Sequence, residues 1–319
     1  MPFAPSDMTI RPLTGPDELD LFRRLSYVLD HELADDLATG RRRPEWMWVA
    51  LSGDRLLGRI SWWTGQPGSA PQALDFFDLD DTLPESERGA IGGQLLEKAQ
   101  ASVVPAGAAR PEYGRFVPPD WHEDPVARDV VEARMRVMEA SGARMLVERL
   151  RLEWREGTPV PEGTGRLTFR QVADREDLVA LMTPVMEGTL DDHGQEDLAS
   201  GLSARQAAEK HYDEEFAHFR TGQEWWRIAE LPDGEPVGFV IPARNNYHPV
   251  LAYIGVLPAH RGQGYIDEIL AEGTRVLVAE GVDRIRAATD LGNVPMARSF
   301  ERLGYVNFER AFTMVWDRP

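Results

Sequence analysis

The 319-residue sequence contains no cysteine, which excludes disulfide bonds, thiolate metal sites and cysteine nucleophiles and fits a cytoplasmic protein. It also lacks any apolar run near the roughly 20 residues that a membrane-spanning helix needs, so we expect no membrane contact. The first residues, MPFAPSD, show no basic segment followed by an apolar one. We therefore expect no signal peptide there.

Positive charge is scarce, since 35 Lys and Arg stand against 53 Asp and Glu and give a formal net charge of −18. Such a chain repels nucleic acid, and no basic stripe interleaved with aromatics is present. The one basic run, residues 41–43 (RRR), is predicted to be a solvated loop. An acidic surface is compatible with a cationic small-molecule substrate such as an amine.

The two halves of the sequence repeat the same segments in the same order. In each half a short strand leads into a helix with an acidic start, a tryptophan-bearing hairpin follows, and a glycine-capped helix runs into a last strand. These segments are residues 9–13, 46–60 and 137–154 in the first half, and 168–172, 225–240 and 299–316 in the second.

This repeat predicts two copies of one α/β domain, because a period of about 160 residues is too long for a solenoid. The predicted domains are residues 1–155 and 166–319. Between them, residues 156–165 (EGTPVPEGTG) are dominated by Pro and Gly. We expect this segment to be an exposed linker in which nothing packs.

The most informative segment is a strand-type run at residues 250–256, a turn at 257–264 (LPAHRGQG) and a helical pattern from Tyr265 onward. Glycines let a backbone approach an anion closely, and a helix start adds partial positive charge. Arg261 can add a fixed cation. A tight turn alone would explain two glycines, but the order strand, Val-x-Pro, Arg-Gly-x-Gly, helix is more specific. The spacing lacks the P-loop Lys-Ser/Thr and the full dinucleotide fingerprint.

Residues 256–264 resemble the acetyl-CoA signature of the GNAT acetyltransferase superfamily, Arg/Gln-x-x-Gly-x-Gly/Ala. Residues 293–297, Phe300 and residues 303–305 resemble the later Asn-x-x-Ala helix of that superfamily, and the tandem copies resemble the arrangement of the mycothiol synthases. The resemblance implies an α/β (α+β) fold of two tandem GNAT-like acyl-CoA N-acyltransferase domains. Each would have a mixed, mostly antiparallel, splayed sheet flanked by helices.

The resemblance also implies acetyl-coenzyme A as the cofactor and a small-molecule primary amine as the acceptor of its acetyl group. Backbone groups of Ile254 and Val256 would pair with the pantetheine arm, and amides from Arg261 through Ile266 would hold the diphosphate. Asn293 would bind the pantetheine side or cap a helix. The expected cofactor-binding residues are Ile254, Gly255, Val256, Arg261, Gly262, Gln263, Gly264, Tyr265, Ile266, Asn293, Met296 and Phe300.

Three positions depart from the family pattern. Ile266 stands where Gly or Ala is preferred, Phe300 where a tyrosine often serves as the acid for the thiolate, and Leu251 where many members carry a glutamate base. Phenylalanine and leucine cannot transfer protons. These departures keep open a second hypothesis, a non-catalytic acyl-CoA-binding sensor or scaffold.

The candidate catalytic residues follow from position. Strand alternation puts Leu251, Tyr253 and Gly255 on one face, so Tyr253 is the candidate polar group beside the acetyl, with an aromatic that packs the strand as the alternative. Asp290 follows a strand and could reach the opening of the sheet or be a turn residue. Glu224 could act as a base through a water or be a solvated strand start.

Other polar residues give weaker indications of a functional site. The region after the first helix lines the acceptor pocket in the family, which makes Tyr212 and Glu215 candidate substrate contacts. His193 has no second ligand at helical or hairpin spacing, so no metal site is expected. The pattern predicts neither the acceptor nor the oligomeric state.

The first copy is predicted to be degenerate and to bind no cofactor. Pro84 precedes Arg88 by four positions, whereas Pro258 precedes Arg261 by three, and no glycine follows Arg88 at the interval from Arg261 to Gly264. Carboxylates that surround this segment oppose a phosphate. They are Asp75, Asp78, Asp80, Asp81, Glu85 and Glu87.

Overall fold

The computed structural model describes residues 8–317, so the expectation about a signal peptide in residues 1–7 lies outside the described part. The chain forms two compact units, one of Met1–Leu146 with Ala311–Pro319 and one of Val147–Arg310. Within residues 8–317, no helix is both long and apolar enough to cross a bilayer.

The first unit is a sheet with helices on both faces. Its strands lie in the order β1-β2-β3-β4-β5-β12, with β1 to β4 antiparallel and β4 parallel to β5. The strands are β1 (Met8–Pro12), β2 (Met47–Ser52), β3 (Arg55–Trp63), β4 (Ala73–Leu79), β5 (Glu112–Val117) and the end of β12 (Val306–Trp316). The helices are α1 (Leu19–Phe22), α2 (Leu33–Thr39), α3 (Glu85–Val103) and α4 (Pro125–Ala140).

The second unit repeats this architecture in the strand order β6-β11-β10-β9-β8-β7, and β10 is parallel to β11 while the other pairs are antiparallel. Its strands are the main part of β6 (Ala143–Arg155), β7 (Thr168–Gln171), β8 (Arg227–Glu230), β9 (Pro236–Arg244), β10 (Pro249–Val256) and β11 (Arg284–Asp290). Its helices are α5 (Arg175–Val185), α6 (Asp192–Ala199), α7 (Ala204–Glu214), α8 (Tyr265–Ala279) and α9 (Val294–Arg302). The predicted fold class is confirmed.

The repeated segments fold as their turn chemistry predicts. Two hairpins form where they were predicted, β2 with β3 and β8 with β9. Gly142 after α4 and Gly304 after α9 both take left-handed backbone, with φ of 93° and 78°. A side chain is strained in that conformation, so glycine ends both helices and turns the chain into the next strand.

The division into units differs from the predicted boundaries of 1–155 and 166–319. Residues 147–155 of β6 belong to the second unit, and residues 311–316 of β12 belong to the first. Each sheet therefore takes its sixth strand from the other half of the sequence. Local sequence patterns predict that a strand exists, but they do not predict which sheet it joins.

Residues 156–165 have no regular structure, as predicted, but they do pack. Val160 lies against the core of the second unit, and the Pro161 carbonyl accepts a hydrogen bond of 2.6 Å from Arg275. The Thr164 hydroxyl donates to Glu268 at 2.7 Å. The expectation that nothing in this segment packs was wrong, because the backbone of a Pro-rich segment still offers carbonyl acceptors.

The arginine run was also predicted wrongly. Arg41 and Arg42 are 3% and 1% exposed. Both donate to Asp36, Arg41 at 2.8 Å and Arg42 at 2.9 Å, and Arg42 also donates to Asp75 at 2.7 Å. Burial of two cations is possible because Asp36, a few positions earlier in the chain, and Asp75, which is distant in sequence, pair with them.

The two faces of the second sheet carry different helices. Apolar residues of α8 and α9 pack on one face together with Leu251. Residues of α5 and α7 pack on the other face together with Phe239. The loop that links β10 to α8 lies where the sheet meets these layers, and it carries the candidate site.

Candidate functional site

The loop of residues 257–264, called here the glycine turn, follows β10. Residues Pro258–His260 form one 3-10 turn, and Gly262 and Gly264 take φ of 76° and 78°. Helix α8 begins directly afterwards, with Gly264 as its N-cap. Residues 261–264 are exposed to solvent. Two left-handed glycines so close together turn successive N–H groups toward the same side.

The amides of this turn have no protein acceptor. Among residues 8–317, none of the backbone N–H groups of residues 262–266 donates to the protein, whereas the Arg261 amide makes one long bond of 3.4 Å to the Pro258 carbonyl. Unpaired amides at a helix start carry partial positive charge. Five consecutive unpaired amides at this helix start are therefore suited to bind an anion such as a diphosphate.

The acidic residues in the first turn of α8 are neutralised. Asp267 accepts from Arg302 at 2.6 Å and from Ser299 at 2.5 Å. Burial tends to raise the pKa of Asp267, but these hydrogen bonds outweigh it and the pKa lies below its usual value. Glu268 accepts from Arg166 at 2.6 Å, and Arg166 also donates to the Gln263 carbonyl at 3.1 Å. Because each of these two carboxylates is paired with an arginine, they oppose the binding of an anion at the turn less than unpaired carboxylates would.

Arg261 does not present a free cation, contrary to the sequence-based expectation. Its guanidinium donates to the carbonyls of Val185 at 2.9 Å, Glu187 at 2.8 Å and Val256 at 3.2 Å. The first two carbonyls lie at the end of α5, where helix carbonyls lack partners. The side chain of Arg261 thus links the glycine turn to the end of α5 through hydrogen bonds, while its backbone forms part of the turn.

An opening begins where β10 and β11 part. Strand β10 pairs with β9 at seven positions but with β11 only at Val250, opposite Arg286. The Leu257 amide donates to Val237 of β9 at 2.8 Å. Because backbone groups alternate along a strand, those of Ile254 and Val256 point the other way, toward β11. We call this opening, bordered by residues 251–256 of β10, the strand gap.

A β-bulge in β10 puts Leu251 and Tyr253 on opposite faces of the sheet, contrary to the prediction. The register with β9 shifts between Leu251 and Tyr253, which leaves Ala252 as the extra residue. Leu251 consequently packs in the core under α8, while Tyr253 packs with Phe239 on the α5 and α7 side. Simple alternation had placed Leu251 and Tyr253 on one face, and the inserted residue inverts that relation.

Tyr253 lies at the strand gap among aromatic rings. Its ring centroid is 4.9 Å from that of His211 and 5.5 Å from that of Phe239. Burial raises the pKa of Tyr253, and the carboxylate of Asp191 raises it further. Tyr253 therefore stays protonated at neutral pH, which suits a proton donor and not a base.

Gly238 sets the distance between β9 and β10. A Cβ at this position would overlap the Gly255 carbonyl oxygen and would lie 3.0 Å from Ile269. We expect Gly238→Ala to lower the free energy of unfolding by about 1–3 kcal/mol, because backbone cannot yield as a side chain can. Thermal or urea unfolding measures this change. Gly292→Ala, where a Cβ would meet nothing within 4 Å, is the control; equal effects of the two changes would refute the packing argument.

A sequence profile described as the Acetyltransferase (GNAT) family matches residues 193–305. This match covers the strand gap, the glycine turn, α8 and α9. These residues lie in the second unit, which we call the GNAT domain after this match.

Individual relatives agree with this assignment. Over 66 residues the chain is 35% identical to a mycothiol acetyltransferase of Frankia casuarinae, a match over 21% of this chain and 19% of that protein. The chain thus aligns with about a fifth of that relative's length.

Solved structures extend the likeness to nearly the whole chain. A GCN5-related N-acetyltransferase from Sphaerobacter thermophilus is 15% identical with a TM-score of 0.61, over 99% of this chain and 98% of the other. A tandem GNAT protein from the clavulanic acid biosynthesis pathway is 15% identical with a TM-score of 0.51, over 98% and 99%. At such identity these structures show the fold alone, which is a tandem GNAT fold.

The GNAT domain uses Asp290 to hold other groups. Asp290 ends β11 and is 2% exposed. One carboxylate oxygen accepts from Arg149 at 2.5 Å and the other from the Asp192 amide at 2.6 Å. Arg149 in turn lies 2.9 Å from Asp191 and 3.0 Å from His193. Asp290 therefore anchors the start of α6 and is not a free base at the strand gap.

Glu224 and Tyr212 lie elsewhere in the GNAT domain. Glu224 is exposed ahead of β8, two strands from β10, and it lines a surface pocket with Glu272 and Arg275. Tyr212 is 6% exposed and its hydroxyl accepts from Gln223. Neither side chain is brought to Tyr253. No group of His, Asp and Glu among the described residues could hold a metal ion.

The residues of α9 show mainly structural contacts. Asn293 caps the helix, since its Oδ1 accepts from the Met296 amide at 3.4 Å. Met296 and Phe300 are 8% and 2% exposed in the core, and Phe300 packs edge-on against Tyr305 at 5.0 Å. The contact of Met296 and Phe300 with a cofactor stays a prediction.

Sequence patterns alone did not single out His211, which the structure places against Tyr253. His211 lies in α7, its Nε2 is 3.0 Å from Glu215, and its side chain is 27% exposed. Glu215 was predicted to be a substrate contact and is half exposed. The spacing His-x-x-x-Glu, one helical turn, was the available signal, but i, i+4 pairs are common on helix surfaces.

Proposed function

We propose that the GNAT domain binds acetyl-coenzyme A and transfers its acetyl group to the primary amine of a small molecule. The observation that carries this proposal is the row of five unpaired amides, residues 262–266, at the end of a strand whose edge is also unpaired. A diphosphate followed by an extended amide-bearing arm satisfies both features. When bound, acetyl-coenzyme A supplies a thioester that an amine can attack.

The residues at the strand gap then have separate tasks. Backbone groups of Ile254 and Val256 align the pantetheine arm, because they point to the open edge of β10. Tyr253 donates a proton to the leaving thiolate, the task that Phe300 cannot perform. Its hydroxyl is protonated because burial raises its pKa. Positioning and one proton donor supply much of the rate enhancement in such a transfer.

The first unit binds no cofactor in this proposal, because arginines close the corresponding strand edge. Strand β4 has the same bulge as β10, at Asp75, so Phe77 and Leu79 correspond to Ile254 and Val256. The Phe77 carbonyl accepts from Arg115 and the Leu79 carbonyl from Arg134, both at 3.1 Å.

The helix start in the first unit is closed as well. The amides of Glu87 and Arg88 both donate to the Pro84 carbonyl at 3.0 Å. Glu85 and Glu87 add negative charge in the first turn of α3. A diphosphate would meet occupied amides and carboxylates there, in contrast to the open amides of the glycine turn.

The acceptor in this proposal is a cationic amine. The chain carries a net charge of −18, and Asp191 acts electrostatically on Tyr253 at the strand gap. A long-range negative field raises the local concentration of cations. The structure offers no further feature that names the amine.

The proposal is tested with acetyl-coenzyme A and a panel of primary amines, with free thiol as the readout. We expect thiol release with at least one amine, and a rise in the unfolding temperature with acetyl-coenzyme A alone. Stabilisation without thiol release across a broad panel would favour the non-catalytic binder, the alternative that Leu251 and Phe300 suggest by their lack of a titratable group. Absence of stabilisation would refute both.

A further inference from the structure

A histidine and a carboxylate lie next to the candidate proton donor. The ring of His211 meets that of Tyr253 at a centroid distance of 4.9 Å and an angle of 67°. The ring of Phe216 also lies next to His211, with a centroid distance of 4.6 Å between the two rings. His211 thus lies on the α7 side of the sheet, the side onto which Tyr253 projects.

Glu215 determines which nitrogen of His211 carries the proton. The Nε2 atom is 3.0 Å from the Glu215 carboxylate. A carboxylate only accepts hydrogen bonds, so Nε2 must carry the hydrogen. The Nδ1 atom then has the free lone pair, and it has no hydrogen-bond partner among residues 8–317. A carboxylate that fixes a histidine tautomer also stabilises the imidazolium that forms on protonation.

Glu215 is the carboxylate that acts on this imidazole directly. Of the other charged side chains of α7, Asp213 pairs with Arg175, Glu209 with Arg205, and Lys210 with Asp197, while Glu214 is exposed to solvent. From the strand side, Tyr253 faces His211 and Asp191 acts on Tyr253.

We propose that His211 is the general base of the transfer, with Glu215 as its positioning residue. This inference rests on the proposed function. The bound ammonium first loses one proton to solvent, and the neutral nitrogen then forms a bond to the acetyl carbon while the carbon–sulphur bond breaks and a second proton of the nitrogen goes to His211 Nδ1. Tyr253 gives its proton to the sulphur, and the imidazolium then returns a proton to the tyrosinate. Atoms and charge balance, and no further reactant is needed.

His211→Gln tests the catalytic role. General base catalysis is worth about 10²–10⁴-fold, so we expect kcat to fall by that factor while the dissociation constant for acetyl-coenzyme A changes less than twofold. The acidic limb of the wild-type pH profile should disappear in this variant, and added imidazole should restore part of the rate to His211→Ala. His218→Gln, an exposed histidine on the same segment, is the control and should match wild type.

A readout independent of turnover follows from the tautomer. In 15N-labelled protein without cofactor, the His211 ring should show the Nε2–H form, and Glu215→Gln should lose that fixed form. A rate within threefold of wild type in His211→Gln, or an unchanged acidic limb, would overturn the assignment of the base. A wild-type chain that binds acetyl-coenzyme A but transfers to no amine would instead overturn the transferase proposal and this assignment with it.

Discussion

Gly264→Val should weaken acetyl-coenzyme A binding at least 100-fold and abolish the thermal stabilisation by this ligand. Gly264 has φ of 78°, and valine is strained there, so the turn must rotate its amides away from their common target. A 100-fold loss equals about 2.7 kcal/mol, which is the size expected for one or two hydrogen bonds to a charged group. Isothermal titration calorimetry on both proteins measures it.

Two glycine variants separate loss of the site from backbone strain. Gly281 also has positive φ, 72°, and lies past the end of α8 in open space. Gly281→Val should cost similar stability and leave acetyl-coenzyme A affinity unchanged. Gly89→Val, in the helix of the first unit that corresponds to α8, should also leave it unchanged. If Gly281→Val weakened binding as much as Gly264→Val, the amides of the glycine turn would not be the site.

Asp78→Asn should lower the free energy of unfolding of the first unit by about 3–5 kcal/mol, the usual effect of removing one partner of a buried ion pair. Asp78 is 2% exposed and accepts from Arg59 and Arg115, both at 2.9 Å. The change would leave the buried guanidinium of Arg115 without its carboxylate and that of Arg59 with Asp30 alone. Urea unfolding followed by tryptophan fluorescence reports it. Glu132→Gln, which breaks an exposed pair with Arg136, should change it by no more than about 0.5 kcal/mol.

The effect of Asp78 depends on pH with a definite sign. Burial opposes the charged carboxylate, but Arg115, Arg59 and Arg134 outweigh it and lower the pKa of Asp78. The stabilisation is therefore complete above the unfolded-state pKa of about 3.9 and is lost as pH falls toward the folded-state value. The difference between wild type and Asp78→Asn should shrink below about pH 4. A difference that grew on acidification would contradict the ion-pair account.

The glycine turn could be predicted because its chemistry is local. Gly262 and Gly264 are adjacent in sequence to the helix whose amides they expose, so a motif of nine residues specifies the site. The hairpins and the glycine caps at Gly142 and Gly304 were predictable for the same reason. Each depends on residues within a few positions of one another.

Features that depend on distant partners were not predictable. Arg42 is buried in part because Asp75, 33 positions later in the chain, pairs with it in three dimensions, and a run of three arginines gives no sign of that partner. Arg261 was expected to face the diphosphate, but its guanidinium donates hydrogen bonds to carbonyls at the end of α5. Sequence spacing contains no information on these partners.

The bulge at Ala252 shows how one inserted residue makes a prediction from strand alternation wrong. Strict alternation assigns Leu251 and Tyr253 to one face, and the structure puts them on opposite faces. His211 was missed for a related reason, since only the fold brings α7 against β10. The glycine turn could thus be predicted from sequence, whereas the contact between His211 and Tyr253 required the structure.

Hydrogen–deuterium exchange with and without acetyl-coenzyme A tests the central claim most directly. The account predicts that the ligand slows exchange in peptides covering residues 256–268, where the free amides lie. It predicts no change in peptides covering residues 80–92, the corresponding segment of the first unit. Unchanged exchange at residues 256–268 under saturating ligand, or new protection at residues 80–92, would contradict the account.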